Sequence, residues 1–147
     1  MLGNIENKYI LTAIFEFMRN KKKLNIIRFN KRIKEKLNIK KEDYKVYELL
    51  EEFNKKYNLN IEDIDIKELN LNESSIGNEG LKYLNKIKFK ELNVLNLNTN
   101  KISDISILVK VNFKKLNGLY LSNNKINKQE NSSLIKYLES KINKISI

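Results

Sequence analysis

The chain has no cysteine, no histidine and no proline. Without cysteine there are no disulfides and no thiolate metal sites. Without histidine the usual general base and the commonest metal ligand are gone, and with cysteine absent too, Ser–His and Cys–His nucleophile chemistry is excluded. Carboxylates and lysines remain, but no motif arranges them for catalysis. The expectation is therefore no enzyme, no cofactor and no metal. Asn58, Asn60, Glu62, Asp63 and Asp65 bunch oxygen ligands, yet lack the central glycine and final glutamate of an EF-hand loop. The sequence also lacks any apolar run near the ~18–20 residues that span a bilayer. Residues 1–18 have no basic start and no small-residue cleavage site, so no signal peptide is read. These absences predict a cytoplasmic protein. A nuclear location is the alternative, because Lys21-Lys22-Lys23 and Lys31-Arg32 are spaced like a split import signal.

What is present begins with charge. The net charge is +11, and residues 19–41 hold eleven lysines and arginines against one acid, Glu35. Such a segment can be a set of solvated helix faces, or it can meet an acidic protein or nucleic acid. Phe29 is the only aromatic within it, which disfavours nucleic acid bound by base stacking. A hydrophobic fraction of 41% is enough for a packed core despite 32% charged residues.

Up to about residue 60, apolar residues follow helical spacing. Ile10, Leu11, Ile14, Phe15 and Met18 form one stripe. Leu24 with Ile27, and Ile33 with Leu37, predict shorter helices. Val46, Leu49, Leu50, Phe53 and Tyr57 predict a helix of about four turns. Asn58 to Asn60 reads as a turn into a different organisation. The domain reading is therefore 1–60 helical and 61–147 repetitive.

Beyond residue 60 a single pattern recurs. Leu92-x-x-Leu95-x-Leu97-x-x-Asn100-x-Ile102 returns as Leu116-x-x-Leu119-x-Leu121-x-x-Asn124-x-Ile126. A looser copy is Ile66-x-x-Leu69-x-Leu71-x-x-Ser74-x-Ile76, and Ile142-x-x-Ile145-x-Ile147 starts a fourth. Each unit predicts strand, turn and helix. Alternation along a strand turns the paired leucines inward. Leu81, Leu84 and Ile87, then Ile105, Leu108 and Val109, then Leu134, Tyr137 and Leu138 are expected to supply the facing wall. Ser103 and Asn127 are placed to cap helices, and Asn127-x-x-Glu130 has capping-box spacing. An asparagine at 100 and 124 suits a sharp turn with buried backbone, because a carboxamide donates and accepts at once.

This pattern resembles the leucine-rich-repeat family over residues 66–147. Ile76-Gly77-Asn78-Glu79-Gly80-Leu81-Lys82-Tyr83-Leu84 is similar to the ribonuclease-inhibitor-like subclass. The resemblance implies an α/β fold: a short solenoid with parallel strands inside and helices outside, preceded by a small all-α domain. Its implied function is protein binding on the outward strand positions Glu68, Asn70, Asn72, Val94, Asn96, Asn98, Gly118, Tyr120, Ser122, Lys144 and Ser146. Tyr120 is the one aromatic there, and aromatics dominate binding hot spots.

The N-terminal run Ile10-Leu11-x-x-Ile14-Phe15-x-Phe17-Met18, followed by Leu24 and Phe29-Asn30-Lys31-Arg32-Ile33, resembles an F-box. That resemblance implies docking on the Skp-type adaptor of a cullin ubiquitin ligase through Ile10, Ile14, Phe15, Met18 and Phe29, with a substrate held on the repeats. The alternatives are a helical cap for a bare repeat scaffold, and a basic helical patch that binds nucleic acid or an anionic surface.

Overall fold

The structure, a computed structural model, describes residues 7–18, 26, 30–38, 41–111 and 114–147, with the side chains of 15–17 and 41–43 outside that description. Of the helix expected around Leu24 and Ile27, Ile26 is described and is helical, while 19–25 and 27–29 lie outside the described residues.

Two short helices come first. Helix α1 (Lys8–Phe17) is capped by Asn7, whose Oδ1 accepts from the N–H groups of Tyr9 and Ile10. Helix α2 (Lys31–Leu37) is capped by Asn30, which accepts from Ile33 N–H at 3.0 Å. Asparagine suits this position because its side-chain oxygen takes up a donor the helix start leaves free. The two helices pack on one another, and Leu11 and Ile33 are buried.

Helix α3 (Lys41–Tyr57) has the predicted length, and it joins the core of the repeat region. Its Leu50 and Phe53 are buried in the same cluster as the strand leucines. The Phe53 ring stacks on Tyr83 at 5.6 Å and meets Tyr57 edge-on at 5.1 Å. The Asn54 carboxamide then clamps the turn. Its Oδ1 accepts from Ile61 N–H and its Nδ2 donates to Ile61 C=O. The apolar core thus runs without a break across residue 60.

From there strand and helix alternate: β1 (Glu68–Asn70), α4 (Gly77–Ile87), β2 (Val94–Asn96), α5 (Ser106–Lys110), β3 (Gly118–Tyr120), α6 (Ser132–Lys141) and β4 (Lys144–Ser146). The fold is mixed α/β, with six helices among the described residues and one four-stranded parallel sheet in the order β1-β2-β3-β4. The register puts Leu69, Leu95, Leu119 and Ile145 in one row. Leu71, Leu97 and Leu121 extend the ladder by donating to the carbonyls of Asn96, Tyr120 and Ser146. Leu81, Leu84, Ile87, Ile105 and Leu108 close the core from the other side, and all are buried. Burying each such side chain is worth roughly 1.5–3 kcal/mol.

Three expectations need correction. Tyr137 does not line the inner wall; it is 46% exposed. Leu134, Ile135 and Leu138 take the core side of α6, which turns Tyr137 outward, with Lys141 Nζ 5.9 Å from its ring. Ser103 does not cap α5, since its Oγ accepts from Asn78 Nδ2. The neighbouring Asp104 provides the cap, accepting from Ser106 N–H at 2.8 Å. The side-chain and backbone hydrogen bonds of Ser106 hold the Asp104 carboxyl below its ordinary range. Asn127 does not cap α6 either: it accepts from Gln129 and Glu130 N–H within a turn, and the helix begins only at Ser132, after Asn131. No helix among the described residues is long and apolar enough to cross a membrane.

Candidate functional site

The surface on the strand side rests on a rigid support. Asn100 is fully buried. Its Oδ1 accepts from Ile76 N–H in the preceding unit, and its Nδ2 donates to the carbonyls of Leu71 and Asn98. Asn124 repeats this one unit later. Its Oδ1 accepts from Asn100 and Ile102 N–H, and its Nδ2 donates to the carbonyls of Leu97 and Leu121. Each carboxamide therefore satisfies backbone groups of its own turn and of the turn before it, at a bend where those groups have no strand or helix partner. Ser74, at the same position of the first unit, reaches only Asn72 C=O at 3.4 Å. The Asn100 carbonyl also accepts from Gly77 N–H, where Gly77 has φ +54°, a conformation that glycine adopts without cost.

The eleven outward positions share one side of this sheet, opposite the buried leucines. Register aligns Glu68, Val94, Gly118 and Lys144 in one row and Asn70, Asn96, Tyr120 and Ser146 in the next. Asn72, Asn98 and Ser122 continue beyond the strand ends.

The asparagines in these rows have a fixed polarity. Asn70 Oδ1 accepts from Asn72 N–H, Asn96 Oδ1 from Asn98 N–H, and Asn98 Oδ1 from Ser122 N–H at 2.8 Å. Each of these oxygens accepts a bond from the chain itself, while the Nδ2 groups of Asn70, Asn96 and Asn98 donate to no described residue. Further along, Ser122 and Ser146 join their hydroxyls at 2.7 Å.

Tyr120 lies flat. A Cβ at Gly118 would meet Tyr120 Cε2 at 3.7 Å, its hydroxyl oxygen at 3.8 Å and Val94 Cγ2 at 3.6 Å. Gly118 is buried beneath these atoms, and a Cβ there would meet them at ordinary contact distance. The face is thus a small apolar platform of Val94 and Tyr120 among carboxamide donors, with Glu68 exposed at one margin and Lys144 at the other.

The second predicted site is on α1. Ile10 is 52% exposed, Ile14 is 36% exposed and Met18 is half-buried. The Phe15 side chain and Phe29 lie outside the described residues. Of the basic segment, residues 19–25, 27–29 and 39–40 lie outside them too, and Lys31 pairs with Glu35 across one turn of α2. Tyr9 on the same helix is also exposed, at 85%, although the motif spacing does not include it.

A third cluster is not legible in any one stretch of the sequence: Lys86, Lys88, Lys90, Lys110 and Lys114 surround one cleft. The available signal is the repeat offset, because Lys90 and Lys114 precede Leu92 and Leu116 by the same two residues. Among the described residues no group of three or more acidic, histidine or cysteine side chains could hold a metal ion. No model of a known protein family, no curated protein and no solved structure matches this chain.

Proposed function

We propose that residues 61–147 form a short leucine-rich-repeat solenoid whose strand face binds a protein partner. The observation that carries this reading is the donor row beside a seated aromatic ring. The Nδ2 groups of Asn70, Asn96 and Asn98 donate to no described residue while each oxygen accepts from the chain, beside Tyr120, whose ring lies near Gly118. An apolar centre with a polar surround is the anatomy of protein interfaces. A ring already held in place loses little freedom on binding. The partner it fits offers hydrogen-bond acceptors, such as exposed backbone carbonyls, around one apolar side chain.

The test uses a partner captured by the native full-length chain. Hydrogen exchange on the complex should slow at residues 94–98 and 118–122. Tyr120→Ala should weaken binding about tenfold or more, as loss of a hot spot does. Unchanged affinity for both Tyr120→Ala and Asn96→Ala would overturn the proposal.

A second reading is favoured by a separate observation, the solvent exposure of Tyr9, Ile10 and Ile14 on α1. Contiguous exposed apolar residues mark interaction sites. In this reading the N-terminal helices are an F-box that docks a Skp-type adaptor. Purified adaptor should then bind the full chain and lose that binding with Ile10→Lys/Ile14→Lys. No binding by the unaltered chain removes this reading and leaves the strand-face proposal standing.

A further inference from the structure

A cleft lined by residues from the end of α4 to Glu91 and by Lys110, Val111, Lys114 and Lys115 has a volume of about 800 Å³, and six of its ten described lining residues are lysines. One of these, Lys115, is neutralised by Glu91 at 2.5 Å. The other five, Lys86, Lys88, Lys90, Lys110 and Lys114, form no ion pair with a described residue. All five are exposed.

Helix ends do not account for them. Lys86 and Lys110 sit in the last turns of α4 and α5, where the dipole favours cations. Each helix end carries only about half an elementary charge, so two together balance about one ammonium group. Roughly four positive charges are left over around a concave surface, and the chain as a whole is already at +11.

The basic cleft belongs to a longer groove. Lys86, Lys88 and Lys90 also border a second cleft, walled by Val46, Leu49 and Ile64. Lys114 borders a third, walled by Leu108 and Val109 and edged by Lys141. Val46, Leu49, Ile64 and Val109 are all partly exposed. Cationic rims thus alternate with apolar walls along successive units.

We infer that this groove docks an extended acidic segment of a partner protein, one that interleaves carboxylates with aliphatic side chains. The carboxylates meet the lysine ammonium groups, and the aliphatic residues fill the walls between them. This surface shares no residue with the strand face and does not depend on that site. Single-stranded nucleic acid fits less well, because it needs aromatic stacking platforms. Among the described residues lining the three clefts, Phe89 in the central one is 1% exposed and the one exposed aromatic is Tyr137, in the outer one. A bilayer surface would leave the apolar walls unfilled. A second copy of this chain would bring +11 to a basic groove.

The experiment titrates the full-length chain into a fluorescein-labelled peptide of alternating Glu-Glu and Leu-Leu pairs and reads anisotropy. The comparison probes are the same peptide with Gln for Glu, single-stranded oligouridine, and phosphatidylserine vesicles. The acidic peptide should bind tightest at matched salt, and its affinity should fall as salt rises. Lys90→Glu/Lys114→Glu should weaken it at least about tenfold, because like charges then face each other. The milder Lys90→Gln/Lys114→Gln should weaken it by less, and Lys67→Glu/Lys125→Glu should leave it unchanged. Circular dichroism and the urea midpoint establish that each variant is folded. Equal binding of the Gln peptide, tighter binding of oligouridine or vesicles, or equal loss in both charge-reversal pairs would overturn the inference.

Discussion

The carboxamide of Asn100 makes three hydrogen bonds to backbone groups while fully buried. Asn100→Ala removes all three; the Leu71 and Asn98 carbonyls keep the N–H groups of Ser74 and Glu73, but Ile76 N–H is left buried and unpaired, so the change should cost about 1–3 kcal/mol. Asn96→Ala loses one bond at a partly exposed site, where water replaces it, and should cost within about 0.5 kcal/mol. Urea midpoints compare the two, and equal midpoints would refute the buried-asparagine argument. Thr99, next to Asn100, has φ +57°, although it is β-branched; the equivalent position of the next unit is Asn123 at φ +58°. Asparagine tolerates the left-handed region far better than threonine. Thr99→Asn should therefore raise stability by about 1 kcal/mol, seen as a higher midpoint at unchanged slope. Asn100 was legible in the sequence because its job requires a side chain that both donates and accepts. The seating of Tyr120 was not. It follows from a ring conformation that brings Tyr120 Cε2 and its hydroxyl near Gly118, and residue spacing does not encode that. Ser103 and Asp104 are both competent caps, and only the path of the chain selects the second.

Among the elements, α3 has the most to say about how the chain divides. Its apolar spacing was readable, but its allegiance was not, because Phe53 is buried against Tyr83, thirty positions later in the sequence. The composition shift near residue 60 marks a turn, and that turn is tied back to α3 by Asn54. A fragment of residues 41–147 should therefore unfold cooperatively near the midpoint of the full chain. A fragment of 61–147 should not, since it lacks Leu50 and Phe53 from the core. Phe53→Ala within 41–147 should cost about 3–5 kcal/mol. Matching thermal unfolding curves for 41–147 and 61–147 would show that α3 is dispensable. The two glycines of Ile76-Gly77-Asn78-Glu79-Gly80 likewise become intelligible as parts of α4. Gly77 needs its positive φ, and a side chain at Gly80 would overlap Ile76 Cβ and come within 2.9 Å of its Cγ1.

At the scale of the molecule, burial along the sheet is graded. Leu95 and Leu97 have no exposure, whereas Ile145 and Ile147 are only partly buried. Amides that pair β2 with its neighbours should exchange with solvent much more slowly than those of 144–147, because local opening costs less where fewer apolar contacts break. Equal protection by mass spectrometry would contradict the gradient. The groove of lysines belongs to this scale too. Its members stand at 86–90 and 110–114, so no single stretch of sequence displays them, while the contiguous run at 19–41 draws attention by adjacency alone. The asparagine supports carry one more implication, for the order in which the chain is made. Ile76 and Leu71 depend on a side chain 24 and 29 residues downstream, and Leu97 on one 27 residues downstream. During synthesis a turn leaving the ribosome remains open until most of its successor has been translated. Translation from the amino terminus therefore closes each loop one unit late, and a pause between residues 76 and 100 would hold the first loop exposed to chaperones for the length of the pause.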